Sequence, residues 1–295
     1  MLVRSPFFKN LIGERWNTED RRLFELDLSY DVNMSKEAFE LTLKYIYGKE
    51  LTSEEAEDHL FGLLALGSYF DLPKLVYFVT TEIVDGIGEK ELGPIALFCY
   101  DYDYGSNTEK IWDECFKYME ENLYCKCCKD REIRMEQFVD YPVRLMTRAL
   151  SSDQLYVPTE WTRCLLFVAY YEATIQSNNG CNGKTSIRTD EVSGKLETIQ
   201  EALNNGVYFC NIEFGQLRRI MMTKKNVDGK PLIYEDTAMK HLWMSAEFKH
   251  CIENADREEA GLLSSEPEHI YNVPNTFERT SSPLEVFNRV YHRRI

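Results

Sequence analysis

Hydrophobic residues recur along most of the chain at the three- and four-residue steps that are typical of α-helices. The segment SKEAFELTLKYIYGK (residues 35–49) shows this most clearly, because Phe39, Leu43 and Ile46 form one apolar stripe. Ser35 is a suitable N-cap for this helix, and Gly48 stands where a helix ends. The segment FELDLSYD (residues 24–31) instead alternates apolar and polar positions in its first half, which predicts a β-strand.

Capping signals predict further helices. Thr52 and Glu55 have the spacing of a capping box, as do Ser106 and Glu109, and Pro73 is well placed to start a helix. Helical spacing of apolar residues also occurs in the segments EWTRCLLFVAYY, EFGQLRRIM and DTAMKHLWMSAEF. One short strand among many helices predicts an α+β fold that is predominantly α-helical.

Two stretches lack this periodicity. Residues 177–195 are rich in Asn, Gly, Ser and Thr, which predicts a mobile surface loop. From residue 253 onward the chain is polar and contains prolines, so we expect residues 253–295 to form a disordered tail.

The charge balance argues against direct binding of nucleic acid. The chain has 34 Lys and Arg residues against 49 Asp and Glu residues, a formal net charge of −15, and this field repels a phosphate backbone. Basic residues cluster as KK at Lys224 and as HRR near the C-terminus. The longest nearly apolar run, CLLFVAYY, is far shorter than the roughly 20 residues of a membrane-spanning helix, so no membrane partner is expected either.

Residues that would support catalysis are scattered. None of the five histidines belongs to a recognisable nucleophile–base motif, and the DGIG segment lacks the Lys-Ser/Thr of a phosphate-binding loop. Acidic pairs such as Glu54 and Glu55 are typical of a solvated helix start. We therefore expect no enzymatic activity, no catalytic residue and no cofactor.

The nine cysteines include a cluster, CKCC, formed by Cys125, Cys127 and Cys128. Reduced thiols in the cytoplasm or nucleus are the better interpretation, because these cysteines are too close in sequence for a spaced disulfide framework. A zinc site needs about four ligands, and no second pair of cysteines follows, so no metal is expected. An incidental thiol cluster at a helix end is favoured; metal binding and redox sensing remain alternatives, and Lys126 and Lys129 would favour thiolates.

The segment ALFCYDYDYG carries an alternation of aromatic and acidic residues. In an extended conformation Tyr100, Tyr102 and Tyr104 would share one face, and tyrosine is enriched at protein interfaces. The alternative is an aromatic lining between two domains, which we favour.

The order of these motifs resembles the BTB (POZ) domain. The resemblance rests on RSPFF at residues 4–8, on Ala38-Phe39 followed by YIY at residues 45–47, and on GSYFDLP at residues 67–73. The segment ALSSDQLYVPTEWTRCLLF resembles the helical BACK domain, and VYFCNIEFGQLRRI resembles a late BACK segment of germ-cell-less-like proteins. The resemblance implies a BTB-like domain at 1–88 and a BACK-like domain at 89–252, ahead of the tail.

The resemblance implies a role in protein interaction. BTB–BACK proteins commonly act as substrate adaptors of cullin-RING ubiquitin ligases, and the BTB domain is usually a homodimer. The residues implied to face a cullin are Val32, Met34, Phe39 and Tyr47. Members that bind cullin well often carry a hydrophobic-x-Glu triplet, where this chain has Val-Asn-Met, and the loss of a charge-assisted hydrogen bond costs about 1.5–3 kcal/mol. The alternative is a BTB scaffold in transcription or cytoskeletal assembly, and no substrate protein is indicated.

The sequence also indicates whether Phe39 and Tyr47 lie in the core or on the surface. The stripe shared with Leu43 and Ile46 favours a core position for Phe39, whereas Tyr47 beside Gly48 is the better surface candidate.

The N-terminus raises a separate expectation. In the BTB family, the RSPFF segment follows two paired strands and a helix, of which only the last turn would be present in Met1, Leu2 and Val3. We therefore expect this sequence to be a fragment of a longer chain, whose dimer surface would be lost with the missing helix. The alternative is a natural short form that pairs its open sheet with a partner.

Overall fold

The computed structural model describes residues 5–12, 26–129, 132–180 and 188–259. Most of these residues are helical. Two strands of two residues each pair in antiparallel register: Cys128–Lys129 (β1) and Glu132–Ile133 (β2). The described residues therefore form a predominantly helical α+β fold, as predicted. The helices are Pro6–Ile12 (α1), Lys36–Ile46 (α2), Ser53–Ala56 (α3), Leu60–Tyr69 (α4), Pro73–Asp85 (α5), Leu92–Asp101 (α6), Ser106–Cys127 (α7), Val143–Ser151 (α8), Glu160–Gly180 (α9), Arg188–Gly206 (α10), Phe214–Thr223 (α11) and Glu235–Glu259 (α12).

The chain divides into two compact units. The first unit comprises Met1–Leu123 with Asp140–Met146, and the second comprises Tyr124–Val139 with Thr147–Ile295. The division between these units therefore falls later than residue 88, where the sequence places the end of the BTB-like domain. That domain boundary stays a prediction.

Helix α2 begins and ends at the predicted residues. The Ser35 hydroxyl accepts a hydrogen bond from the Ala38 N–H, and Gly48 follows the helix with a positive φ of 104°. The predicted apolar stripe is wrong in position, however, because Phe39 and Leu43 are only half-buried. The face turned to the core carries Ala38, Leu41, Thr42, Tyr45 and Ile46.

Helices α4 and α5 form the centre of the first unit. The capping box of Thr52 and Glu55 is confirmed ahead of them, and Pro73 starts α5. Every residue from Gly62 to Gly67 is buried, so α4 is enclosed on all sides rather than along one stripe.

Ser5 ties α1 to the end of α4. Its buried hydroxyl donates to the Phe70 carbonyl oxygen at 2.7 Å, and the rings of Phe7 and Phe8 pack on the Phe70 ring at 5.4 and 5.0 Å. The RSPFF motif therefore provides a fixed anchor on the core, within the part of it that the structure describes.

Two local predictions are corrected. Residues 26–31 form no strand, and Phe24 and Glu25 lie outside the described residues. The Asp27 carboxylate accepts hydrogen bonds from the N–H and the hydroxyl of Ser29, which favours a turn. Those hydrogen bonds also lower the pKa of Asp27. Ser106 is already helical, because the N–H groups of Thr108 and Glu109 bond the Gly105 carbonyl oxygen, so it is not the N-cap of α7.

The structure corrects the ends of the predicted loop and the first part of the predicted tail. Helix α9 continues to Gly180 and α10 begins at Arg188, so the ends of the 177–195 segment are helical and residues 181–187 lie outside the described ranges. Helix α12 continues to Glu259, which corrects the first part of the 253–295 tail; the remainder also lies outside them.

Two amide side chains on α10 organise the second unit. Gln200 and Asn204 both donate to the Leu232 carbonyl oxygen, at 3.0 and 3.2 Å, and the Asn204 amide oxygen accepts from the Tyr234 N–H at 2.7 Å. These bonds hold the segment that leads into α12. Among the described helices of the chain, none combines the length and apolar character needed to cross a membrane.

Candidate functional site

The loop before α2 is held by a polar network that connects residues far apart in sequence. Asp31 accepts hydrogen bonds through Oδ1 from the backbone N–H and side-chain Nδ2 of Asn33, at 2.9 and 3.1 Å. The Tyr104 hydroxyl donates to Asp31 Oδ2 at 2.7 Å and accepts from Asn33 Nδ2 at 2.9 Å. Burial, followed by the Asp31 carboxylate, raises the pKa of Tyr104, so the phenol remains a hydrogen-bond donor.

Gly62 supports the same loop from beneath. A Cβ atom at Gly62 would lie 2.6 Å from the Asn33 carbonyl oxygen and 2.7 Å from Ala38 Cβ. The Asn33 backbone therefore packs directly on α4, at a distance that only glycine allows. The loop is fixed at its base, while its tip is left accessible.

The four residues implied to bind a partner all have accessible side chains. Val32 is 78% exposed and Tyr47 is 63% exposed, whereas Met34 and Phe39 are half-buried. Phe39, Leu43 and Tyr47 follow one another at four-residue steps beside the core face of α2, and they form its outward stripe. Phe39 also contacts the Phe70 ring at a centroid distance of 6.0 Å, which explains its partial burial.

A cleft of about 900 Å³ opens beside the loop, with Asn33 and Ser35 on its edge. Its apolar lining consists of Leu60, Phe61, Ile83, Pro94 and Ile95. The volume is at the upper end of the range for ligand pockets.

The charged lining of the cleft is acidic. Carboxylates account for six of its 18 lining residues, against 49 of 295 in the whole chain, and the basic lining residues are Lys90 and His59. Within the described ranges, no ion pair involves any of these six carboxylates. They are Glu54, Glu57, Asp58, Glu82, Asp85 and Glu91.

The three tyrosines of the ALFCYDYDYG segment do not share one face. Tyr100 lies within α6 and is 59% exposed, while the Tyr102 and Tyr104 rings are parallel at 6.3 Å. Both rings pack on Phe98, which in turn stacks on Phe61 at 4.1 Å. The extended-strand prediction is therefore wrong, because the helix continues through Tyr100, and the last two tyrosines form a stack within the first unit.

The cysteine cluster offers no multi-ligand metal site. In the part of the chain that the structure describes, no group of three or more His, Cys, Asp or Glu side chains is suitably arranged. Cys125 is exposed at the end of α7, Cys127 is buried as its last residue, and Cys128 begins β1. Burial raises the pKa of both the Cys127 and Cys128 thiols, so the expected thiolate character is wrong for these two residues.

Residues 1–85 match the BTB/POZ domain. The match includes the loop at Val32–Met34, α2 and most of the cleft-lining residues, and it ends before Tyr104. No curated protein matches the chain.

A BTB/POZ domain is a protein–protein interaction module that also mediates dimerisation, rather than a catalytic domain. The chain therefore carries an interaction module in residues 1–85. The acidic cleft was missed from the sequence, because its carboxylates come from α3, from the 3-10 helix Glu57–His59, from the last turn of α5 and from the residue before α6, which no local pattern connects.

Proposed function

We propose that the chain is a substrate adaptor of a cullin-RING ubiquitin ligase in the cytoplasm or nucleus, with a BACK-like helical domain at residues 89–252. The observation that carries the proposal is the loop at Val32–Met34, which the Tyr104–Asp31 bond holds at its base with Val32 78% exposed. A loop that is already ordered loses little conformational entropy when a partner binds. An exposed apolar tip on a fixed base is the form expected of an interface anchor.

The outward stripe of α2 extends the proposed surface. Tyr47 is its most exposed member at 63%, and tyrosine contributes contact area at low entropic cost. Phe39 and Met34, which are half-buried, would add apolar area around these two anchors.

In the triplet Val32-Asn33-Met34, Met34 occupies the position at which the resemblance implies a glutamate, so the carboxylate is missing. The amide of the middle residue, Asn33, donates to both Asp31 and Tyr104, so it serves the internal network instead of a partner. The negative charge for a partner would come from the neighbouring cleft, whose six carboxylates are unpaired among the described residues. We infer that the partner contributes a basic segment with an apolar residue for the floor of the cleft.

The missing glutamate favours a second candidate function. Without the glutamate, the domain would bind other proteins as a scaffold in transcription or cytoskeletal assembly, with no ubiquitin chemistry. The two functions differ in whether a cullin is bound at all.

The test is capture of the N-terminal domain of a cullin by the full chain, at two salt concentrations. We expect capture that weakens at high salt, because exposed charges are screened. Charge reversal in the cleft, Glu57→Lys with Asp58→Lys, should weaken capture at least tenfold. Glu114→Lys with Glu121→Lys on α7 is the matched control, because neither residue lines the cleft. Absence of capture by the unaltered chain would favour the scaffold function.

A further inference from the structure

Two neighbouring thiols meet where α7 ends. Cys127 is the last residue of α7 and Cys128 is the first of β1, and their Sγ atoms lie 3.9 Å apart. The Cys127 Sγ also donates to the Tyr124 carbonyl oxygen at 3.5 Å, which orients it within the last turn of the helix. Neither cysteine has a role in the proposed adaptor surface.

This arrangement does not suit a disulfide. The Cα atoms of consecutive residues are about 3.8 Å apart, whereas disulfide-bonded cysteines have Cα atoms about 4.4–6.8 Å apart. Forming a bond between these two sulfurs would therefore strain the backbone. The two thiols are instead placed to bind one common atom without forming a bond to each other.

The sulfur separation fits two bonds to a single intervening atom. Two sulfurs bound to one centre at about 2.3 Å each lie at most about 4.6 Å apart, so the observed 3.9 Å is compatible with a shared centre. A structural zinc ion needs about four ligands, and the described residues supply no group of three. A ligand held by the described residues alone must therefore be one that two sulfurs satisfy.

We propose that Cys127 and Cys128 form a two-thiol binding site for trivalent arsenic that carries one organic group. Such an arsenic centre completes its valence with two sulfurs. In the reaction with an arsenic oxide, two As–S bonds form, the two thiol protons and the arsenic-bound oxygen leave as one water molecule, and no atom is oxidised or reduced. Cys128 is half-buried and reacts first; the buried Cys127 follows when the last turn of α7 opens.

The test uses the reduced full chain and phenylarsine oxide, with intact-mass measurement and peptide mapping. We expect one adduct on the peptide that contains Cys127 and Cys128. A monothiol such as glutathione should leave it in place, while 2,3-dimercaptopropanol should remove it, because only a dithiol competes with a two-sulfur site.

Serine variants locate the site. Cys127→Ser and Cys128→Ser should each lower the amount of glutathione-resistant adduct at least tenfold, and Cys125→Ser, two residues away and exposed, should not. Circular dichroism of each variant checks the fold; if Cys127→Ser unfolds, the half-buried Cys128→Ser decides. A resistant adduct that persists in Cys128→Ser, that is lost in Cys125→Ser, or that maps elsewhere in the unaltered chain would overturn the proposal. So would an adduct that glutathione removes.

Discussion

The hydroxyl of Tyr104 lies 2.7 Å from a carboxylate oxygen of Asp31, across 73 positions of sequence. The bond joins the connection between α6 and α7 to the loop before α2. The sequence predicts a partner-binding site at the loop, and for the tyrosine segment it leaves open a second interface beside the favoured aromatic lining; the structure makes Tyr104 a support of the loop. Tyr104 therefore fixes the conformation of the loop for which partner binding is proposed.

Removal of this hydroxyl should destabilise the first unit modestly. Tyr104→Phe keeps the stack on Tyr102 and Phe98 and loses the bonds to Asp31 and Asn33. A hydrogen bond to a charged group contributes about 1.5–3 kcal/mol, and we expect a loss of about 1.5 kcal/mol, because Asp31 is half-buried and can still reach water. Urea unfolding measures the change. Tyr100→Phe is the matched control, and an equal loss there would contradict the assignment.

The glycine beneath the loop should tolerate no side chain. Gly62→Ala places a methyl group 2.6 Å from the Asn33 carbonyl oxygen, so overpacking should cost about 1–3 kcal/mol of unfolding free energy. Gly194→Ala provides the control, because nothing lies within 4 Å of a Cβ atom there and the helix should gain about 0.5–1 kcal/mol. Both are measured from urea unfolding curves. Equal effects at the two glycines would show that the loop does not depend on close packing.

His241 should make the stability of the second unit depend on pH. Burial, followed by the charge of Lys240, lowers the pKa of His241, whose ring packs edge-on against Phe209 and whose Nδ1 has no hydrogen-bond partner. The unfolded chain then binds a proton more readily, so stability is complete above pH 6.5 and decreases as the pH falls through 6.5.

Thermal unfolding between pH 7.5 and pH 5 measures this dependence. His241→Leu should remove part of the loss of stability on acidification. A His241→Leu curve parallel to that of the unaltered chain would rule out His241 as the cause.

Zinc chelation should leave the fold intact. The described residues supply no group of three metal-ligating side chains, and structural zinc would contribute folding free energy directly. Addition of a strong zinc chelator should therefore shift the melting temperature by less than the error of the measurement. A large decrease would show that residues outside the described ranges complete a metal site.

The sequence predicts local features well where a few neighbouring residues determine them. The Ser35 cap, the Thr52–Glu55 capping box and the Pro73 helix start depend on contacts within four residues, and all three are confirmed. The strand prediction at 24–31 failed in its described part because the hydrogen bond that the Asp27 carboxylate accepts from the Ser29 N–H competes with strand pairing.

Contacts between distant segments could not be predicted in the same way. Apolar spacing identifies α2 but not which of its faces is buried, since residues 38, 39, 41, 43, 45 and 46 are all compatible with a core stripe. The position of the core face, the Tyr104–Asp31 bond and the acidic cleft arise from packing across long sequence separations. No single-sequence pattern records them.

We propose that the surface formed by the Val32–Met34 loop and the outward stripe of α2 binds a cullin. Isothermal titration of a cullin N-terminal domain into the full chain, unaltered and with Tyr47→Ala, tests this binding. The matched control is Tyr156→Ala, which removes a tyrosine that is 68% exposed in the second unit. We predict that Tyr47→Ala raises the dissociation constant more than tenfold, about 1.4 kcal/mol, with an unchanged melting temperature, and that Tyr156→Ala has no effect. The same dissociation constant for all three proteins, or no binding to any of them, would show that this surface does not bind a cullin.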